Sequence, residues 1–256
     1  MYQKKTPKCQ LPDKNEFTVY NPNDGDVNTG AWPEVVKIIS IDPGIRNLAL
    51  RVESRGITSG SFPIKTLVFD KLHIKEVDRK IEGNTDNLFK FITNFLDSYL
   101  HIFKDCQMML IERQLPINYK AVRISQHIIS YFLLHFRNLP TYPMIYEVDP
   151  KLKGRQLGAS NKLNERGIKQ WAIDECRSLL TKRHDWEGIE VLNKNKKKAD
   201  DHSDTVVQIE AFFAFNNWPL TRERLTLNIS KKGYPDESIK PEKVVAPKLV
   251  LKIVKM

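Results

Sequence analysis

Apolar residues recur along this chain in short β-branched runs closed by Gly, Pro or Asp, the pattern of buried strands rather than of long helices. The first run spans residues 35–42 and ends on Asp42, after which Pro43-Gly44 forces a turn. Residues 48–53 predict a second strand, and Thr66 to Phe69 with Leu72 and Ile74 a third. Gln107 to Glu112 is a fourth, again ending on an acid, and Met144 to Val148 a fifth, closed by Asp149-Pro150.

Between and after them the period changes to that of helices. Phe89, Ile92, Phe95, Leu96 and Tyr99 follow a cap candidate at Asn84 or Thr85. Val122 to Phe136 is apolar nearly all round, which predicts a central helix. Ile168 to Leu180 reads as amphipathic, and Asp200 to Phe215 as a last helix packing through Val206, Val207, Ile209, Phe212 and Phe213. The Lys194–Lys198 run reads as a loop.

Three consecutive strands imply hairpins, and the later strand–helix–strand crossings imply parallel additions to the same sheet. The prediction is an α/β fold with a mixed five-stranded sheet flanked by helices. It occupies residues 34–218, between a polar N-terminal arm (1–33) and a basic, Pro-punctuated C-terminal extension (219–256) in which Leu249 to Val254 adds a strand or stays mobile.

Composition narrows the function classes. Across 256 residues, 41 Lys/Arg against 31 Asp/Glu leave a formal charge of +10, which favours polyanionic partners. The excess is local: residues 151–183 hold nine basic residues against three acidic, and residues 220–256 nine against four. No apolar run approaches the roughly 20 residues of a membrane span, and Met1–Lys5 is not followed by the apolar stretch of a secretory leader. Cys9, Cys106 and Cys176 are scattered, without a Cys-x-x-Cys pair, so no zinc finger is expected; the thiols suit a reducing compartment, cytoplasm or nucleus.

Against that basic background three acidic groups sit at element ends. Asp42 closes the first strand and Glu112 the fourth, so neighbouring strands would bring their carboxylates together. Asp200, Asp201 and Asp204 open the last helix, with Asp204 on the face of Asp200 or Asp201. Taken singly, Asp42 is a turn former, Glu112 a partner for Arg113 or Arg123, and Asp200 and Asp201 helix caps complementing the dipole. Asp204 lies a turn inside the helix, where no cap is needed. Together, repelling carboxylates call for a cation, and oxygen-only donors suit Mg²⁺.

Ile41-Asp42-Pro43-Gly44-x-x-Asn47, Ile111-Glu112-Arg113-Gln114 and Lys198-Ala199-Asp200-Asp201-x-x-Asp204 resemble, in order and over about residues 36 to 215, the motifs of RuvC-like Holliday junction resolvases. The Glu-Arg-Gln form is most similar to the branch in poxviruses, other large DNA viruses and fungal mitochondria. The resemblance implies an RNase H-like fold, a homodimer acting on branched DNA, and a host-cell setting if the source is viral. It implies Mg²⁺ or Mn²⁺, two per site, held by Asp42, Glu112, Asp201 and Asp204, with Asp200 the alternative within its doublet. It also implies a lysine near the scissile phosphate, for which Lys153 and Lys162 are the candidates.

The expected activity is therefore metal-dependent resolution of four-way junctions. Alternatives are another RNase H-like nuclease acting on RNA–DNA hybrids or branched DNA, an actin- or chaperone-like ATPase lacking its second phosphate loop, and a non-catalytic DNA-binding module. Lys151, Lys153, Arg155, Lys162, Arg166 and Lys169 are the expected phosphate contacts, on a loop made flexible by Gly154 and Gly158. Their bland reading is a solvated basic loop. His202 is expected on an exposed helix face, His127 and His135 in the core, and Tyr119 and Arg123 either in local packing or at a junction.

Overall fold

The computed structural model describes residues 33–57, 64–74, 88–137, 139, 142–195, 199–216, 218 and 220, and the backbone of 17–20 and 85–87. The five expected strands form as β2 (Val35–Pro43), β3 (Leu48–Gly56), β4 (Lys65–Leu72), β5 (Met108–Glu112) and β6 (Met144–Val148). A sixth, β1 (Phe17–Tyr20), comes from the segment expected as a polar arm and pairs antiparallel with β6. Four residues carry little periodic signal, and the free edge of β6 supplies the partner that makes them a strand. The rest of residues 1–33, the Leu249–Val254 strand candidate and Lys196 to Lys198 lie outside the described residues.

The sheet order is β1-β6-β5-β2-β3-β4. β2, β3 and β4 form an antiparallel meander, whereas β5 is parallel to both β2 and β6. The helices are α1 (Thr85–Asp97), α2 (Leu100–Phe103), α3 (Tyr119–Phe136), α4 (Leu152–Leu157), α5 (Glu165–Lys182), α6 (Trp186–Lys194) and α7 (Ala199–Phe215). Strand alternation sorts β2 between two cores. Ile39 and Ile41 pack with α1 and α3, while Val36 and Ile38 pack with α5 and α7. Asp42, two residues beyond Ser40 and four beyond Ile38, therefore faces the α7 side.

Two helices exchange the roles expected of them. α3 covers one face of the sheet but exposes Arg123, Gln126, Ser130 and Leu134, so it is not central. α7 is the buried helix, with Val206 through Phe213 enclosed. The histidines on α3 are correspondingly out of the core, His127 half-buried and His135 exposed.

One face of β3 carries alternating charges that helices cover. Arg51, Glu53 and Arg55 are buried beneath α5 and α7. Arg51 Nε donates to Glu53 Oε2 at 2.7 Å, and Arg55 Nη1 and Arg183 Nη2 donate to Glu210 Oε2 at 2.9 and 2.7 Å. Arg51 also reaches Asp185 Oδ2 at 3.2 Å, so three guanidinium groups meet three carboxylates. Burial alone would raise the Glu53 carboxyl, but Arg183, Arg51 and Arg55 outweigh it and hold its pKa at about 2, from an ordinary 4.5. The depressed value means Glu53 stabilises the fold above pH 4.5, and that contribution is lost as pH falls through about 2. The urea midpoint is expected to drop across this window, and Glu53→Gln to flatten the drop while costing about 3–5 kcal/mol at neutral pH by stranding buried guanidinium charge. An unchanged pH profile in Glu53→Gln would exclude this role.

α5 closes on His184, whose φ of 57° is left-handed. Its N–H donates to Thr181 O at 3.0 Å and the Asp185 N–H to Leu180 O at 2.9 Å, satisfying the last carbonyls. A side chain costs free energy in that conformation, so His184→Gly is expected to stabilise the chain by about 0.5–1 kcal/mol, read from urea unfolding.

Candidate active site

Four elements deliver the site. Parallel β2 and β5 pair Ile41 with Ile111, which sets Asp42 and Glu112 side by side at the ends of adjacent strands. The chain then turns sharply: a Cβ on Gly44 would sit 2.6 Å from the Asn47 carbonyl oxygen, so only glycine permits this return into β3. α7 carries Asp204 to this strand end, and α4, packed against α7 on the same face of the sheet, brings Lys153. The segment expected as a flexible loop is in fact helical, begun by the Asp149 carboxylate accepting from the Lys151 N–H at 2.8 Å and ended at Gly158 with φ 81°.

Lys153 is the pivot of the cluster. Its Nζ donates to Glu112 Oε2 and to Asp204 Oδ1, both at 2.6 Å, with only 11% of its side chain exposed. Burial would favour the neutral amine, but Asp204, Glu112 and Asp42 outweigh it and hold the ammonium charged well above the ordinary lysine range. Asp42 is driven the other way: burial first, then Glu112 and Asp204, push its carboxyl well up, with Lys153 opposing. Burial likewise raises Glu112, against Lys153. Glu112 thus pairs with neither Arg113 nor Arg123, the partners expected for a purely structural role; Arg113 lies 3.9 Å from Glu147 and Arg123 over the Phe89 ring.

The acidic doublet of α7 divides. Asp201 Oδ2 accepts from Asn47 Nδ2 at 2.7 Å, lies 3.8 Å from Lys71 Nζ, and adds to the charge felt by Asp42. Asp200 points to Lys169, 4.0 Å away. His202, expected to be exposed, is buried edge-on to Phe69, where burial and Lys71 lower its pKa to about 4.

The remaining basic candidates lie outside this pivot. Lys151, Arg155, Lys162 and Arg166 are exposed on α4, α5 and the turns between β6 and α5. Arg155 pairs with Asp149 at 3.2 Å and Lys169 with Glu165 at 3.2 Å, whereas Lys162 makes no ion pair among the described residues. Asn47, Lys71 and His73 were not expected at the site. Asn47 stood inside the Asp-Pro-Gly motif, but Lys71 and His73 carried no signal, being brought in by the β3–β4 pairing.

Among the described residues no three His, Cys, Asp or Glu side chains form a ready metal cluster; Lys153 stands between two of the acids. The residues nonetheless fit a hard divalent cation in donor chemistry and in charge. Asp42, Glu112 and Asp204 offer carboxylate oxygen alone, and one ammonium does not balance them.

No family model matches the chain. It is 28% identical over 117 residues to the uncharacterized protein 97L of Invertebrate iridescent virus 3, an alignment covering 46% of this chain and 53% of that protein. The chain spans about half the length of the curated relatives it matches. Among solved structures, the yeast mitochondrial Holliday junction resolvase Ydc2 superposes with a TM-score of 0.50 at 16% identity, covering 78% of this chain and 87% of Ydc2. RuvC of Thermus thermophilus gives 0.45 at 15% identity, over 71% of this chain and 97% of RuvC. The fold is accordingly α/β and RNase H-like, similar to that of the yeast mitochondrial resolvase.

Proposed function

We propose that the chain is a structure-selective DNA endonuclease that resolves four-way junctions with Mg²⁺ or Mn²⁺. The observation that carries this reading is the meeting of Asp42, Glu112 and Asp204 around one buried ammonium at the ends of adjacent parallel strands. Those three carboxylates, with Asp201, would hold two divalent ions, and Asp200 faces away toward Lys169. When bound, such ions lower the pKa of a coordinated water and stabilise charge on the leaving oxygen of a phosphodiester.

The chain's own groups supply the remainder. Asp42 and Glu112, fixed on strands, would set where the ions sit relative to the sheet end, and through them where the reacting phosphate meets the site. Lys153, kept protonated by its acidic neighbours, would neutralise the charge developing on a phosphate oxygen. Lys151, Arg155, Lys162, Arg166 and Lys169 form a rim along which a DNA backbone can track, contributing affinity that falls with salt. A homodimer would pair two such sites about a two-fold axis, as a symmetric junction requires. Buried free thiols at Cys106 and Cys176 accord with a reducing compartment, the host cell if the chain is viral like its relative. No described helix is long and apolar enough to cross a membrane.

The test compares a synthetic four-way junction, a linear duplex and an RNA–DNA hybrid, each with and without Mg²⁺. Paired, symmetric nicks in the junction alone, only with Mg²⁺, are expected. Preferential cutting of the hybrid transfers the same site to a different substrate, and binding without cutting leaves a DNA-binding module.

A further inference from the structure

The geometry points to Asn47 as a positioning residue that selects Asp201, rather than Asp200, as the acid of the α7 doublet that serves the site. This deepens the metal-dependent reading above and rests on it. Asp201 lies in the first turn of α7, where its carboxylate is 3.8 Å from Lys71 Nζ. Asn47 holds that carboxylate from across the sheet end, Nδ2 donating to Asp201 Oδ2 at 2.7 Å.

The amide is itself held. Asn47 is 7% exposed, and its Oδ1 lies 3.0 Å from His73 Nδ1. An oxygen there can only accept, so His73 carries its proton on Nδ1. The reverse amide would set Asn47 Oδ1 against the Asp201 carboxylate, two acceptors facing each other, so one orientation satisfies both partners. The turn supplies the third constraint. The close approach of the Asn47 carbonyl to Gly44 seats this residue over the end of β2, which explains why the glycine and the asparagine are three positions apart. Among the described residues Asp200 has no such hydrogen bond, and its ion pair is with Lys169, at 4.0 Å.

A hydrogen-bond partner of a metal-binding carboxylate typically contributes roughly ten- to hundredfold in metal affinity. Asn47→Leu keeps the shape and removes both hydrogen-bonding ends. In the full-length chain without DNA, its Mn²⁺ affinity by electron paramagnetic resonance is expected to fall at least about tenfold. The Mg²⁺ concentration for half-maximal junction nicking should rise in parallel, with metal-free junction affinity within about twofold of wild type. His73→Ala, at an exposed position that does not threaten folding, should shift the same two quantities in the same direction by a smaller factor. Wild-type Mn²⁺ affinity in both variants overturns the inference while leaving the nuclease reading intact. A wild-type chain that binds no Mn²⁺ and nicks no junction overturns both.

Discussion

Asp42→Asn is expected to abolish junction nicking, by about three orders of magnitude or more, while leaving junction affinity unchanged and raising thermal stability. The three outcomes share one cause. Asp42 sits at the end of β2 among Glu112, Asp204 and Asp201, and burial together with those neighbours disfavours its charge. An asparagine of the same shape removes the repulsion and the anionic ligand together. Relief of about 1 kcal/mol raises Tm by roughly 2–4 °C in a chain of this size. Single-turnover nicking, gel-shift affinity in the absence of divalent ions, and a thermal melt read the three quantities independently. Gain of stability with loss of cutting marks a residue retained for chemistry rather than for folding. Undiminished nicking by Asp42→Asn would end the proposed mechanism.

Lys153→Met is expected to act in the opposite sense on stability. The Lys153 ammonium donates to Glu112 and Asp204 at 2.6 Å each, so its removal leaves buried carboxylates facing one another without a counter-charge. Breaking a buried pair from one side costs about 3–5 kcal/mol, and that cost should appear in melts without divalent ions. Mg²⁺ should recover much of it, because a divalent ion supplies the missing charge, so the Mg²⁺-induced rise in Tm is larger in the variant than in wild type. Nicking should nevertheless stay at least about a hundredfold down, since the donor proposed to neutralise the phosphate charge is gone. Equal Tm in variant and wild type without Mg²⁺ would show that the ammonium does not balance these acids.

Both expectations turn on groups that were unequally visible in the sequence. Asp42 and Glu112 were legible because each ends an unbroken β-branched or apolar run, and a strand carries its last residue to the rim of a sheet whatever covers its faces. Their adjacency needed only that β2 and β5 be neighbours, which the strand–helix–strand order already suggested. Asp204 was legible for a similar reason, as an acid one turn too deep in a helix to be a cap. Lys153 was visible only as one of several lysines beside two glycines; the short helix that aims it is capped by Asp149 and Gly158, weak local signals in a segment rich in positive charge.

Two features of the packing share a physical origin. Arg51, Glu53 and Arg55 alternate along β3 as a solvent-facing strand would, yet they are enclosed because Glu210 and Arg183 arrive from helices more than a hundred residues later to complete their charge balance. The exchange of α3 and α7 as the central helix has the same source, since each helix buries whatever face its neighbours leave uncovered.

Period, turn chemistry and strand-end acids are short-range properties of covalent geometry, so the chain alone determined every described strand but β1, most of its described helices, the α/β class and the positions of its principal carboxylates. Which charges pair depends on Coulomb contacts between segments far apart in the chain, at distances of a few ångströms that no linear pattern encodes. Packing therefore decided that Lys153 joins Glu112 to Asp204, that Asn47 holds Asp201 while Asp200 turns away, and that the charges of β3 are buried rather than solvated.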